Sequence, residues 1–393
     1  MKMTKIQHER RIKVLDKIYA KGPLSRIDIS QQTGITPATV SDITADMIEE
    51  KLIYELGEEN PKEVRSGRKK ILLNISGRHS FYIGIELSEK FLSLVLCDNL
   101  GEIYEKKEFQ TTSFPDVVNE ENLYRETQTF LQECHAYQPS AIGIALPGHF
   151  DEGNLTIQTN NPFWKKFHFK KMIEAFELPI YFENNVECMA ITERLFGENS
   201  HDENFTFLHV ARGMFCSSIY QGQLYGTENI LVGEIGHIIV HPEGELCECG
   251  RRGCLQTYAS EAWIIKKSQI LFDNSESTYL RQLSSSREDV SIEKILKAYQ
   301  LGDEGVINIL HNAIKYLSIT INNVSMMIDS NKMLIHGRLF NEPQLLALLK
   351  EYMEQQITLL AKEKKQQLKL KKYHITNGAV AACGLCVSRH LLT

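Results

Sequence analysis

Between Gly233 and Ser260 the chain reads GEIGHIIVHPEGELCECGRRGCLQTYAS, and this segment limits the possible folds more sharply than any other. Cys247, Cys249 and Cys254 fall within eight residues, which is the spacing of a metal site rather than of a disulfide framework. Gly244, Gly250 and Gly253 permit the tight turns that bring three thiols to one point. Three thiolates and one imidazole make a closed tetrahedral zinc site with no open position, so one structural Zn2+ per chain is expected and a catalytic zinc is not. Two histidines, His237 and His241, compete for the fourth place, and spacing alone does not decide between them.

The rest of the composition sets wider bounds. A chain of 393 residues exceeds one ordinary core and implies two or three domains. Hydrophobic residues at 42% and charged residues at 24% describe a globular protein. No run approaches the roughly 18–20 apolar residues that span a bilayer. The N-terminal MKMTKIQHERR lacks the apolar core of a signal peptide. The expectation is a cytoplasmic protein without a membrane partner, its cysteines reduced. Charge is uneven: residues 1–75 carry 14 Lys and Arg against 11 Asp and Glu, whereas the remainder carries 30 against 39. A mildly basic head on an acidic body suggests that only the head meets nucleic acid.

That head has its own pattern. Ile6 to Lys21 reads as an amphipathic helix with Ile12, Leu15, Ile18 and Tyr19 on one face, ended by Gly22-Pro23. Ser25 caps a short second helix from Arg26 to Thr33, and Gly34 makes the turn. Thr36 followed by Pro37 is a strong helix start. The third helix is predicted from Pro37 to about Lys51, with Val40, Ile43, Met47 and Ile48 inward. Leu52-Ile53-Tyr54 and Ile71-Leu72-Leu73 read as strands flanking a loop with Arg65, Gly67, Arg68 and Lys69 near its end. Together these predict a winged helix-turn-helix over 1–75.

Such a head presents the N-terminal part of its third helix to the major groove. Thr36, Ala38, Thr39, Ser41, Asp42 and Thr44 are the expected exposed positions, with Arg26 at the start of the second helix and the wing cations on phosphates or in a minor groove. None of the third-helix candidates is Arg or Lys, so bidentate guanine readout from it is not expected. Asp42 is read as lying on the outer face, with a hydrogen bond from cytosine as the alternative. One recognition helix covers a half-site, so a homodimer or dimer of dimers on a pseudo-palindromic operator follows.

Taken together, head and cysteine segment resemble the ROK family (repressors, open reading frames and sugar kinases), and the resemblance covers nearly the whole chain. Its signature has the form Gly-Glu-x-Gly-His, then Cys-x-Cys-Gly-x-x-Gly-Cys. Here it stands as Gly233-Glu234-Ile235-Gly236-His237, then Cys247-Glu248-Cys249-Gly250-Arg251-Arg252-Gly253-Cys254. The resemblance implies that His237 is the fourth zinc ligand. The fused head resembles the repressor branch, including xylose-operon and N-acetylglucosamine-operon regulators. The implied fold is α/β: the winged head, then a two-lobed actin-like ATPase domain over 76–393, with lobes of about 76–200 and 201–393.

The kinase chemistry of the family is expected to be lost. Its first phosphate cradle has the form Asp-x-Gly-Gly-Thr, and the matching run here is Glu86-Leu87-Ser88-Glu89-Lys90. A cradle needs backbone N–H groups to approach phosphate closely, and Glu89 would repel one. The second cradle, Gly-Thr-Gly-x-Gly, is replaced by Ala211-Arg212-Gly213-Met214-Phe215. The family's Glu-Asn-Asp-x-Asn, whose Asp takes a sugar proton, is Glu183-Asn184-Asn185-Val186-Glu187. An amide is no general base near neutral pH. The chain is therefore expected not to be an enzyme; the alternatives are an active sugar kinase with an appended head, or a regulator controlled by a partner protein.

The resemblance places sugar contacts at Gly148, Asn184, Asn185, Glu234, His237 and Gln256, with Asn185 and Gln256 standing where the family has Asp and Glu. Amides beside carboxylates suit hydroxyls, which both donate and accept. Trp164 either closes over the sugar or packs the lobe. Cys383-Gly384-Leu385-Cys386 follows a small-residue run and reads as a packed helix, and Lys362 to Lys372 as an exposed helix end and the loop after it, with a second nucleic-acid contact as the alternative. The expected function is a sugar-responsive transcriptional regulator, a repressor of carbohydrate-utilisation genes, with a sugar as small-molecule effector.

Overall fold

The computed structural model describes residues 3–58, 70–110, 118–198, 202–330, 332–356 and 367–393. Its first segment carries the helices and strands that the capping residues predict. Helix α1 (Lys5–Lys21) opens with a Thr4–Gln7 capping box and buries Val14, Leu15, Ile18 and Tyr19. A two-residue strand β1 (Leu24–Ser25) leads into α2 (Arg26–Thr33), where Ser25 and Asp28 cap each other reciprocally. Gly34, in the left-handed region at φ +71°, turns the chain toward α3 (Pro37–Glu49), capped by Thr36. Strands β2 (Ile53–Glu58) and β3 (Ile71–Ile75) complete a three-stranded antiparallel sheet of order β1-β3-β2. Three helices and this sheet make a winged helix-turn-helix.

The body continues with the meander β4 (Phe81–Leu87), β5 (Phe91–Asp98) and β6 (Ile103–Gln110). After α4 (Glu120–Glu133), strand β7 (Ala141–Leu146) pairs parallel to β4. A hairpin, β8 (His149–Asp151) and β9 (Thr156–Gln158), and α5 (Lys170–Ala175) precede β10 (Ile180–Asn184), parallel to β7, and α6 (Asn185–Phe196). Strands β4, β5 and β7 are buried nearly throughout, as near-continuous apolar runs require of strands covered on both faces.

A second unit repeats the plan. It comprises β11 (Phe205–Val210), β12 (Met214–Tyr220), β13 (Gln223–Leu224), α7 (Gln256–Ala259), α8 (Glu261–Asn274), α9 (Leu280–Leu283), α10 (Ile292–Gln300), α11 (Glu304–Met327), β14 (Lys332–His336), α12 (Pro343–Gln355) and β15 (Gln367–Lys371). Its sheet runs β13-β12-β11-β14-β15 and the first unit's runs β6-β5-β4-β7-β10, so both read three-two-one-four-five in their own chain order. In each, the second strand is antiparallel to the first and the fourth and fifth are parallel to it. That duplicated order is the actin-like arrangement.

Helix α13 (Asn377–Cys386) belongs to the first unit, which comprises residues 1–202 and 375–393; the second comprises 203–374. The expected lobe boundary, 201–393, thus gives its last 19 residues back to the first lobe. Small side chains explain the return: Ala379, Ala381, Ala382, Cys383 and Cys386 are fully buried, and a Cβ on Gly84 of β4 would lie 1.9 Å from the Ala379 carbonyl oxygen. The cysteine pair in this helix is packing, as its small-residue run predicts. The reading of Lys362 to Lys372 needs correction. Residues 367–371 form β15, paired with β14, because Leu368 and Leu370 alternate with lysines and Leu368 enters the core. Residues 362–366 lie outside the described residues. No helix among the described residues is long and apolar enough to cross a membrane.

Candidate metal centre and binding residues

In the second unit the chain from Gly233 to Leu255 has little regular structure, and two isolated bridges, Ile239 with Cys254 and Leu246 with Arg252, fold it on itself. Gly253 makes the reversal: its φ is +69°, and a Cβ there would lie 1.6 Å from the His241 carbonyl oxygen. His237 arrives on a short 3-10 turn, Ile235–His237, and Cys254 just before α7. One ligand atom each from His237, Cys247, Cys249 and Cys254 lies within 4.8 Å of every other. The Cys247 Sγ to His237 Nδ1 distance is 3.6 Å and the Cys249 Sγ to Cys254 Sγ distance is 3.7 Å. A zinc tetrahedron with Zn–S of about 2.3 Å and Zn–N of about 2.0 Å has edges of ~3.5 and ~3.8 Å, so the four donors fit the ion. His241 lies outside the cluster, its ring 6.2 Å from that of Tyr258. Geometry therefore selects His237.

The surroundings of this cluster are equally specific. Burial pushes the Cys247 thiol up, and Cys254 up to about 12. Burial also acts on Cys249, but hydrogen bonds from the Arg251 backbone and side chain outweigh it and hold that thiol below its usual range. Gln256, 5% exposed, donates from Nε2 to Cys247 Sγ at 3.4 Å and to Glu248 Oε1 at 2.9 Å. The glutamine that the sequence reading set among sugar contacts is thus turned onto a metal ligand. His237 turns Nδ1 toward Cys247 Sγ, and its Nε2 lies 4.0 Å from Glu234 Oε2.

In the first unit Gly148 and Asn184 come together. Asn184 Nδ2 donates to the Gly148 carbonyl at 3.4 Å, while Oδ1 accepts from the Val186 and Glu187 N–H groups and caps α6. Its polar atoms hold the scaffold rather than point outward. Asn185 opens α6 and is half-buried. Burial raises the Glu187 carboxyl to about 9, assisted by the neighbouring Glu183, one of whose carboxylate oxygens lies 3.3 Å from Arg389.

At the positions of the family's phosphate cradles, Glu86 is inside β4 and Glu89 is hydrogen-bonded to Asn161. Met214 and Phe215 begin β12 and are buried. Trp164 is 1% exposed, edge-on to Phe163 at 4.9 Å and 5.5 Å from Phe167, so it packs the first unit's core.

On the head, Thr36, Ala38, Ser41 and Asp42 are exposed and Thr39 is half-buried, its hydroxyl 2.9 Å from that of Thr36. Thr44 departs from expectation: it is fully buried, accepting from Arg26 Nε at 2.9 Å. Arg26 also bridges Glu55 at 3.0 Å, so its guanidinium ties α2 to α3 and β2. Arg65, Gly67, Arg68 and Lys69 lie outside the described residues. Sequence reasoning passed over Glu248 and Arg251 as neighbours of the cysteine cluster.

The ROK family model matches residues 82–388. A xylose repressor of Bacillus spizizenii is 27% identical over 79% of this chain and 77% of its own. The DNA-binding transcriptional dual regulator NagC of Escherichia coli is 27% identical over 81% of this chain and 77% of its own. Among solved structures, a ROK family transcriptional regulator homologous to the Escherichia coli MLC protein superposes with a TM-score of 0.77 at 23% identity, covering 98% of both chains. A ROK family glucokinase from Streptomyces griseus, solved with glucose and AMPPNP, superposes with a TM-score of 0.66 at 19% identity over 78% of this chain and 99% of its own.

Proposed function

The chain belongs to the ROK family, and from that premise we propose that it is a sugar-responsive DNA-binding transcriptional regulator, a repressor of carbohydrate-utilisation genes. Residues 1–75 are its DNA-binding domain and 76–393 its effector sensor, a kinase-like body without kinase chemistry. The observation that carries this reading is Asn185: an amide stands at the position of the family's proton-accepting Asp, and Glu86, where a phosphate cradle belongs, is a buried residue of β4. Neither an amide nor an apolar strand end can do what phosphoryl transfer asks of those places.

In this reading His237, Cys247, Cys249 and Cys254 hold one structural zinc. The ion fixes the segment that carries Glu234. Glu234, His237, Gly148 and Asn185 contact the sugar, while Asn184 and Gln256 hold those residues in place. The DNA face comprises Thr36, Ala38, Thr39, Ser41 and Asp42 of the third helix with Arg65, Gly67, Arg68 and Lys69 of the wing. The protein works in the cytoplasm as a homodimer or a dimer of dimers on a pseudo-palindromic operator. The names of the relatives, a xylose repressor and a DNA-binding transcriptional dual regulator, support the assignment. A coupled ADP-release assay across pentoses, hexoses and N-acetylhexosamines tests it. No turnover is expected with any sugar, and ATP-dependent phosphorylation of one would overturn the reading in favour of a kinase with an appended head.

A further inference from the structure

The chain passes from the head to the body in five residues, Ser76 to Ser80, between β3 and β4. A free linker of that length would let the head wander over roughly 12 Å. This one is held along its length. The Ser76 N–H donates to the Leu52 carbonyl of the head at 2.9 Å, and the Ser76 carbonyl accepts from Asn99 Nδ2 at 2.8 Å. The N–H groups of His79 and Ser80 donate to Asn99 Oδ1 at 3.1 and 3.4 Å, and that of Arg78 donates to Asp98 Oδ2 at 3.2 Å. Arg78 keeps a φ of +61°, which non-glycine residues rarely adopt, so its surroundings have to hold it there. Asp98 ends β5 and Asn99 follows it in the turn; they are 2% and 0% exposed.

The same turn reaches the head's first helix, where the Tyr19 hydroxyl donates to the Asn99 carbonyl at 3.0 Å. Gly101, two residues on, lies against the end of α6: a Cβ there would fall 2.4 Å from the Phe196 ring. On that same end of α6, Arg194 pairs with Asp16 of α1, one helical turn before Tyr19. Linker, turn, α6 and α1 thus close a ring of contacts around one joint.

We propose that Asn99 and Arg194 are positioning residues for DNA: they clamp the head to the first lobe, so that the body, and not a free linker, fixes which half-site spacing the protein accepts. This rests on the reading above, in which two heads bind an inverted repeat. Each base pair inserted between the half-sites moves the second by about 3.4 Å and turns it by about 35°. A head free over roughly 12 Å absorbs two inserted pairs, and a clamped head does not.

Full-length wild type, Asn99→Ala, Asp16→Lys and Asp16→Lys combined with Arg194→Glu test this. Hydrogen exchange without DNA is the first readout. The Arg78, His79 and Ser80 amides of wild type should exchange at least about 100-fold slower than in an unstructured peptide, and those of Asn99→Ala at least about tenfold faster than in wild type. Unprotected amides in wild type would overturn the clamp. The second readout is affinity for a selected inverted-repeat duplex and for the same duplex with two base pairs inserted. Wild type should lose at least about tenfold on insertion, because the second head can no longer engage. Asp16→Lys, which faces Arg194 with a second cation, should lose less than about threefold, and adding Arg194→Glu should restore the wild-type loss. General damage to the fold would weaken binding to both duplexes alike. Should Asn99→Ala fail to fold, Asp16→Lys and its rescue carry the test. An Asp16→Lys protein as strict about spacing as wild type would overturn the positioning role. If wild type binds no inverted repeat, the dimer reading is what falls, and hydrogen exchange still decides the clamp.

Discussion

Arg194, near the end of α6, forms an ion pair with Asp16 of α1, a residue 178 positions earlier in the chain. The side chains are 11% and 26% exposed, so the pair lies at the seam between the head and the first lobe rather than in solvent. Beside it, the Tyr19 hydroxyl donates to the Asn99 carbonyl at 3.0 Å, and Asn99 Nδ2 reaches the Ser76 carbonyl at 2.8 Å. The head is therefore docked on the lobe through α1, and the helix that receives it is the one that begins with Asn185 and is capped by Asn184.

Removing one partner of this seam leaves the other half-buried and uncompensated. Asp16→Ala should destabilise the protein by roughly 1–3 kcal/mol, between the values for exposed and for fully buried pairs. Urea unfolding of Asp16→Ala, Arg194→Ala and both together checks this. The double variant should lose less than the two single losses added, and strict additivity would show that the two charges do not interact.

For the metal centre, elemental analysis of purified protein should give one zinc per chain, falling well below that in Cys249→Ser. Gln256→Ala should leave the ligands intact but remove the Nε2 donor to Cys247, lowering zinc affinity by roughly 10–100-fold in chelator competition. Zinc retention equal to wild type in Gln256→Ala would show that the amide does not support the thiolate.

Local chemistry made much of this architecture legible. Thr36 with Pro37, Ser25 and Gly34 mark helix ends by backbone hydrogen bonding, which needs no tertiary information, and those helices fall within two residues of expectation. The cysteine spacing announced a metal cluster, but not which histidine joins it. That choice depends on the 3-10 turn at Ile235–His237 and on the chain reversal that leaves His241 outside. Gln256 and Asn184 were assigned by position in a motif, and motif position does not reveal which way an amide faces. β15 was hidden because lysines at alternate positions swamp a period-two signal carried by only Leu368 and Leu370. The return of α13 to the first lobe is a topological fact that no local window contains.

Phosphate and base contacts on DNA should separate by their salt response. Arg68→Ala in the wing is expected to weaken operator binding and to flatten the slope of log affinity against log salt by about 1. Changes at Thr39 or Ser41 should instead alter which sequence is preferred, with the slope unchanged. Selection from random duplexes, followed by titrations at several salt concentrations, distinguishes the two.

Glu234 offers a cleaner division between sensing and binding. Its carboxylate lies beside His237, while the head belongs to the other unit. Glu234→Ala should remove the response to sugar and leave sugar-free DNA affinity nearly unchanged. Loss of DNA binding in a folded, zinc-loaded Glu234→Ala protein would make that residue structural.

A sugar-responsive repressor requires one coupling, between a sugar and an operator. A ligand shifts an equilibrium only by its differential affinity for the two states, and the usual allosteric range is roughly 1–3 kcal/mol, about 5–150-fold. The direct measurement is the dissociation constant of the full-length protein for a selected inverted-repeat duplex, with and without each sugar of a pentose, hexose and N-acetylhexosamine panel. At least one sugar should change it by about 5–150-fold, and the duplex should change the affinity for that sugar by the same factor. A constant that stays the same with every sugar in the panel would contradict the account.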